Sequence, residues 1–139
     1  MFPALDISAS ALVAQRIRMN AISSNLANIS TTQNEKGEAK PYQPREVVFQ
    51  SDDDTGACGA SGVKVRSVHT LDLEPLWKYE PGHPDAVKEG EQKGYVAYPN
   101  INMMTEFTNA LEAARAYEAN LGTMEITKDL QQQTLRILA

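Results

Sequence analysis

The sequence has one cysteine and two histidines among its 139 residues. A single cysteine excludes a disulfide within the chain and a zinc site built from cysteines. His69 and His83 lie in no cluster of further metal ligands, so both are interpreted as structural or incidental. The three adjacent aspartates at 52–54 lack the alternating spacing, central glycine and distal glutamate of a calcium loop. The sequence therefore predicts no metal site and no cofactor.

An excess of positive charge is also absent. The net charge is −5 and the pI is about 5.0, which disfavours nucleic acid as a partner. No apolar run is long enough to cross a bilayer. The first residues, 1–6, lack the basic start and apolar stretch of a secretory signal, which by itself favours the cytoplasm. Since neither a phosphate-binding glycine loop nor a serine nucleophile motif is present, a structural or interaction protein is favoured over an enzyme.

Glycine and proline divide the chain into three parts. Six of the seven prolines lie between Pro41 and Pro99, and seven of the eight glycines lie between Gly37 and Gly94. Because both residue types interrupt helices, only the segments outside this window can form long helices. The predicted organisation is an N-terminal helix and motif in 1–33, a β-rich middle domain in 34–100 and a C-terminal helix in 101–139.

The N-terminal segment predicts a helix of about 25 residues, from Leu5 to Ile29, with a length of about 37 Å. Apolar residues recur there with the seven-residue spacing of a coiled-coil seam. The first series is Leu5, Leu12, Met19 and Leu26. The second series, three residues further on, is Ser8, Gln15, Ile22 and Ile29.

The C-terminal segment predicts a longer helix, from Asn102 to Leu138, of about 35 residues and roughly 52 Å. It contains the same seven-residue periodicity, and eight of its ten seam positions are apolar. One series is Phe107, Ala114, Leu121, Lys128 and Leu135. Its partner series is Ala110, Tyr117, Met124, Gln131 and Leu138.

The middle segment predicts four short strands at 45–50, 62–66, 75–80 and 94–98, from β-branched and aromatic residues between turn signals. Small and acidic residues from Ser51 to Gly62 indicate a mobile, exposed loop that contains Cys58 as an incidental thiol. A polar stretch from Ile29 to Lys40 is typical of a linker. Together with the two helices, these strands predict an α+β fold whose helices pair as a coiled-coil-like antiparallel hairpin.

The predicted helices differ in length, so the C-terminal apolar stripe extends about ten residues, or roughly 15 Å, beyond the other. An unpaired stripe favours self-association, and contacts that repeat without closing produce a helical polymer. Four polar residues near the end of the first helix allow two interpretations: a solvated face with a helix cap, or a polar interface between identical helices. They are Ser23, Ser24, Asn25 and Asn28.

A family resemblance narrows these options. The segment 4–32 resembles the N-terminal signature of flagellar rod and hook proteins, including an Ala-Asn-x-x-Thr motif at Ala27 to Thr31. Residues 115–120, Arg-Ala-Tyr-Glu-Ala-Asn, are similar to the C-terminal motif of that family. The middle segments 81–86 and 94–100 resemble those of a short proximal-rod member. Two segments depart from that pattern: 87–93 is longer, and the loop 52–62 is peculiar to this sequence.

The resemblance implies a structural subunit of a hollow helical rod that transmits torque and conducts exported subunits. Its implied partners are copies of itself, other rod subunits, the flagellar type III export apparatus and the basal-body membrane ring. Its implied location is the periplasmic rod of the basal body, reached without a cleaved signal. Two alternatives stay open: another axial subunit of rod or hook, and a soluble coiled-coil adaptor.

The seam and the motif together predict the residues of the assembly interface. They are Leu5, Leu12, Met19, Ile22, Leu26, Ala27, Asn28, Thr31, Phe107, Ala110, Ala114, Tyr117, Leu121, Met124, Leu135 and Leu138.

Overall fold

The computed structural model describes residues 3–53 and 60–138, without the side chains of Pro3 and Leu138. Its first element is helix α1, Pro3–Ala27, and its last is helix α2, Met103–Leu138. Proline is accepted in the first turn of α1 because the N–H it lacks would have no helical partner there. At the start of α2 the Asn102 side chain accepts hydrogen bonds from the backbone N–H groups of Met104 and Thr105, which is N-capping.

A first antiparallel hairpin follows α1. It consists of strand β1, Arg45–Asp52, and strand β2, Gly62–Thr70. The register pairs Arg45 with Thr70 and Asp52 with Gly62, and it shifts between Val48 and Phe49. A bulge of this kind bends one strand and increases the local twist. The hairpin packs along α1, since both of its strands contact that helix.

A second, separate hairpin is formed by strand β3, Leu76–Tyr79, and strand β4, Tyr95–Tyr98. Gly94 precedes β4 with a φ of +83°, a conformation that other residues rarely adopt. A Cβ atom at this position would lie 2.8 Å from the Tyr79 ring. Both the backbone angle and the close approach therefore require glycine at the entrance to this strand.

Helix α1 is the central element of the molecule, because it contacts α2 as well as the first hairpin. Arg18 of α1 is 3.2 Å from Glu112 of α2, and Asn25 is 3.1 Å from Glu106. Positions later in α1 thus meet positions earlier in α2, so the two helices are antiparallel. The buried apolar side chains of the described residues are mostly small, which allows the elements to approach closely. They are Ala14, Ala21, Ile22, Val96 and Ala113.

The α+β class predicted from the sequence is confirmed, with two long terminal helices around a small β region. Each predicted strand is present, although β1 and β2 continue to Asp52 and Thr70 through polar residues that pair across the hairpin. Half of the predicted acidic loop, residues 54–59 with Cys58, lies outside the described residues. In the part of the chain that the structure describes, neither helix is long and apolar enough to cross a membrane.

Candidate assembly surfaces

Asn25 holds three parts of the chain together at the end of α1. Its side chain is 2% exposed. The amide oxygen accepts hydrogen bonds from the Arg45 N–H at 2.8 Å and from the Tyr42 hydroxyl at 3.2 Å. The amide nitrogen donates to the Arg45 carbonyl at 2.9 Å and to the Glu106 carboxylate at 3.1 Å. All four hydrogen bonds that an asparagine side chain can make are therefore made.

Burial raises the pKa of the Tyr42 phenol, Arg45 lowers it and Glu106 raises it, with a net upward shift. The phenol consequently stays protonated and remains a donor to Asn25. The polar residues near the end of the first helix were interpreted either as a solvated face with a cap or as an interface between identical helices. Neither interpretation describes Asn25. It is not on a solvated face, and its partners belong to its own chain, where they link α1 to β1 and α2.

The Ala-Asn-x-x-Thr segment forms the turn that ends α1. The Asn28 side chain donates to the Ser24 carbonyl at 2.9 Å and accepts from the Thr31 hydroxyl at 3.1 Å. The Thr31 carbonyl in turn accepts from the Tyr42 N–H at 3.1 Å. The Asn28 side chain thus adds a second hydrogen bond to the Ser24 carbonyl, which also accepts from the Asn28 N–H at 3.1 Å. Ala27, at the tip of the helix, is exposed.

Asp85 fixes the segment after this turn to the second hairpin. Its carboxylate accepts hydrogen bonds from the buried Thr32 hydroxyl, at 2.7 Å, and from the Gln33 amide. The His83 ring lies beside it, and the His83 Nδ1 atom accepts from the Asp85 N–H at 3.1 Å. Hydrogen bonds from Gln33 and then Thr32 lower the pKa of the Asp85 carboxyl; partial burial opposes this and His83 adds a smaller lowering. The predicted linker is therefore held in place at this point.

This arrangement predicts a pH-dependent contribution to stability. A carboxyl whose pKa is lower in the folded state stabilises the fold above its unfolded pKa, near 3.9, and loses that contribution as the pH falls through the folded value. Asp85→Asn removes the charge of the carboxylate. The NH2 group of the asparagine would face one of the two donors, Thr32 or Gln33, and could not accept its hydrogen bond. We expect a lower Tm than wild type at pH 7, and a difference that shrinks as the pH falls below about 4. Thermal unfolding by circular dichroism measures both, and a difference that is constant with pH would contradict this role.

Helix α2 has one covered face, and most of its other residues are exposed. The covered face repeats at spacings of three and four residues, as expected of a helix that packs on one partner. It comprises Glu106, Ala110, Ala113, Tyr117, Asn120, Met124, Thr127 and Gln131. It contains the second predicted series except Leu138, together with residues 106, 113, 120 and 127, which the sequence pattern did not select. Three members of the first predicted series, Phe107, Leu121 and Leu135, are exposed.

The predicted interface residues thus fall into groups of different exposure. Ile22 is buried and Phe107, Leu121, Leu135 and Ala27 are exposed, whereas the side chain of Leu138 lies outside the described residues. The remaining ten are half-buried, so part of each is free to contact another chain. They are Leu5, Leu12, Met19, Leu26, Asn28, Thr31, Ala110, Ala114, Tyr117 and Met124.

Gln15 brings a polar atom into the predicted seam of α1. Its Oε1 atom is buried and has no hydrogen-bond partner. An unpaired buried acceptor costs about 1–3 kcal/mol of stability. Because leucine has a similar volume, a strong helix propensity and no polar atom, it suits this position better.

We therefore expect Gln15→Leu to raise the free energy of unfolding by about 1 kcal/mol. Urea unfolding of the purified chain measures this, with Arg16→Leu as a control at the neighbouring exposed position. The control adds an apolar side chain to the surface and should change stability by less than about 0.5 kcal/mol. A destabilised Gln15→Leu variant would show that the amide is needed where it lies.

Within residues 3–53 and 60–138, no group of three or more His, Cys, Asp or Glu side chains is placed to hold a metal ion. His69 is exposed, and its Nε2 atom is 2.8 Å from the Ser67 hydroxyl. His83 belongs to the Asp85 arrangement described above. The main features of the described residues are thus the hydrogen bonds of Asn25 and Asp85, which connect elements of the fold, and the exposed faces of the helices.

Comparison with protein families assigns both ends of the chain to one class. Residues 5–33 match the family model described as flagella basal body rod protein. Residues 92–137 match the C-terminal model of the flagellar basal body rod FlgEFG proteins. These two matches cover α1 with its closing turn and nearly all of α2. The class that they define is that of the flagellar rod proteins.

Relatives that span almost the whole chain specify the member. The flagellar basal-body rod protein FlgC of Borreliella burgdorferi is 34% identical over 99% of this chain and 97% of its own. FlgC of Salmonella typhimurium is 38% identical, over 95% and 93% of the two chains, and FlgC of Bacillus subtilis is 37% identical, over 98% and 97%. The chain belongs to the FlgC family of flagellar basal-body rod proteins. The resemblance found in the sequence is confirmed, and a structural rod subunit, not an enzyme, is the established class.

Proposed function

We propose that this chain assembles with its own copies and with other rod subunits into the proximal rod, through the exposed faces of its terminal helices. The observation that supports this is the one-sided packing of α2, whose exposed apolar side chains include Phe107, Leu121 and Leu135. Exposed apolar patches on proteins mark interaction sites.

Within the rod, the two helices line a central channel as a coiled-coil-like pair, and the hairpins form the outer part. Such a shaft connects the membrane ring to the hook, transmits torque and lets later subunits pass. Asn25 and Asp85 suit a part that transmits torque, because they fix the β region to the helices by hydrogen bonds to distant residues. The chain reaches the periplasm through the type III export apparatus without a cleaved signal.

Deletion of the coding sequence in its flagellated host tests this function. We expect cells without motility, whose isolated basal bodies contain the membrane ring and no rod, with both defects restored by a plasmid copy. Electron microscopy of the isolated basal bodies is the measurement. A complete rod in the deletion strain would exclude the proposal, and an intact rod without export of later subunits would place the role in export.

A further inference from the structure

The polar stretch that follows α1 forms a closed loop, residues 32–41, which we call the strap. Its ends meet where the Tyr42 N–H donates a hydrogen bond to the Thr31 carbonyl at 3.1 Å. Inside the strap, the Asn34 side-chain oxygen accepts from two backbone N–H groups at 3.0 Å each. The strap is anchored at the end of α1, because the Tyr42 hydroxyl donates to Asn25. A compact surface loop whose ends lie close together is an Ω-loop, a type of loop that is frequently functional.

The second hairpin, β3–β4, packs on no helix. Among the described helices and strands, β3 and β4 contact only each other. The connection between them, residues 80–94, folds back on β4. There the Val87 N–H donates to the Tyr95 carbonyl and the Gly94 N–H donates to the Val87 carbonyl, at 2.9 Å each. The two strands and their connection therefore form one unit with its own hydrogen bonds, residues 76–98, which we call the lobe.

The strap holds the lobe through Asp85. The Asp85 carboxylate, which is 11% exposed, accepts hydrogen bonds from the Thr32 hydroxyl at 2.7 Å and from the Gln33 amide. Beside these bonds lies a cavity of about 40 Å³ that is lined by both parts, with Ala39 on the strap and Trp77 on the lobe. Side chains that line a void have no packing partner on that side. Apolar packing across this contact is therefore incomplete, and the Asp85 hydrogen bonds carry the attachment.

A second attachment lies at the base of the lobe and is exposed to water. The Gln43 side chain accepts from the Leu73 N–H at 3.1 Å and donates to the Leu73 carbonyl at 3.4 Å, and the Asn100 amide donates to a neighbouring backbone carbonyl at 3.2 Å. Water replaces a partner in such exposed bonds at little net cost. The chain enters and leaves the lobe here through residues 71–75 and 99–102, which belong to no helix or strand. Hinges of moving units are built from a few residues of this kind.

We propose that Asp85 is a latch for the lobe. While its carboxylate binds Thr32 and Gln33, the lobe lies against the strap and moves together with the helices. When these bonds open, the lobe keeps its own structure and swings about its base. The chain thus has one joint between its helical part and its second hairpin, and a single carboxylate sets the stiffness of that joint. This is a property of the single chain and does not depend on the proposed rod function.

Distance measurements by pulsed electron paramagnetic resonance on the purified chain test the latch. Spin labels are attached at Asn20→Cys in α1 and at Glu91→Cys in the lobe, both exposed positions, in a Cys58→Ser background. We expect one narrow distance distribution for this labelled chain and a much broader one after Asp85→Ala. The matched control, Glu89→Ala, removes an exposed carboxylate from the same connection and should leave the distribution narrow.

A second variant, Thr32→Val with Gln33→Ala, removes the same hydrogen bonds from the side of the strap and should broaden the distribution to the same extent. Amide hydrogen exchange of β3 and β4 should match that of the labelled chain, because the lobe keeps its own hydrogen bonds. A narrow distribution in both variants would show that the base alone fixes the lobe. A broad distribution without any substitution at the latch would show that the lobe is not held, and faster exchange in β3 and β4 would show that it unfolds instead of swinging. Each of these three results would overturn the proposal.

Discussion

Replacement of Asn25 by leucine is expected to destabilise the isolated chain by about 3–5 kcal/mol. Leucine has nearly the same shape, so the loss comes from polarity and not from volume. The part-buried N–H and carbonyl of Arg45 would both lie beside a side chain that cannot pair with them. Each unpaired buried group costs about 1–3 kcal/mol, and the bonds to Tyr42 and Glu106 are lost as well. For a domain with a total stability of about 5–15 kcal/mol, this is a large fraction.

Urea unfolding followed by circular dichroism measures the effect. Asn20→Ala provides the matched control, because Asn20 lies in the same helix with an exposed side chain. Alanine there should leave stability unchanged or raise it by a few tenths of a kcal/mol through helix propensity. Equal stabilities of the two variants would show that the Asn25 hydrogen bonds contribute nothing net. The Asn25→Asp variant separates donors from acceptors, since it keeps both acceptor sites and adds a negative charge next to Glu106.

The sequence specified the elements of the fold better than their ends. The long periodic segments predicted both helices because their apolar residues recur at helical spacing over many turns. Helix α1 begins at Pro3, two residues before the predicted start at Leu5. Proline breaks the interior of a helix but is compatible with its first turn, so its presence did not mark the boundary. Strands β1 and β2 were predicted too short because their ends carry polar residues, such as Ser51 and His69, which belong to the hairpin through pairing across strands. That pairing depends on the partner strand, which the local pattern does not contain. Strands β3 and β4 were predicted slightly too long.

The candidate site was less accessible from the sequence for the same reason. Asn25 is buried against partners 20 and 81 residues away, and the half-buried Asp85 accepts hydrogen bonds from partners 52 and 53 residues away. Contacts over such separations leave no signal in the local sequence. Because asparagine is mostly exposed in proteins, a buried Asn25 was not expected. The covered face of α2 was predicted in part. Ala113 is fully buried against α1, whereas the predicted seven-residue register passes over it and contains Phe107 and Leu121, which are exposed.

Substitutions at the exposed seam positions of α2 therefore test a different property of the chain from substitutions at its buried positions. Residues that the monomer covers, such as Ala113, report on folding. Residues that repeat with heptad spacing and yet stay exposed, such as Leu121, have no packing role in the monomer that explains their character. A substitution at an exposed seam position separates assembly from stability, which a substitution in the core does not.

Leu121→Asp is accordingly expected to abolish rod assembly while the chain still folds. Leu121 is 42% exposed in the single chain, so the variant should lose only about 1–2 kcal/mol of stability. In an assembled interface the same carboxylate would be buried without a partner, which costs several kcal/mol for each contact and is repeated in every copy. Swimming in soft agar and electron microscopy of basal bodies are the measurements. We expect no swimming and no rod, with export of the variant unaffected.

The control for this prediction is Thr123→Asp, which introduces the same charge two residues further along α2 on a different, exposed face. Its stability in urea should be close to that of Leu121→Asp, and its cells should swim. A matched loss of swimming in both variants would assign the defect to helix stability or net charge. Normal swimming of Leu121→Asp would remove Leu121 from the interface. Loss of swimming in Leu121→Asp alone would locate a buried contact on this side of α2, because only burial makes the position of the charge decisive.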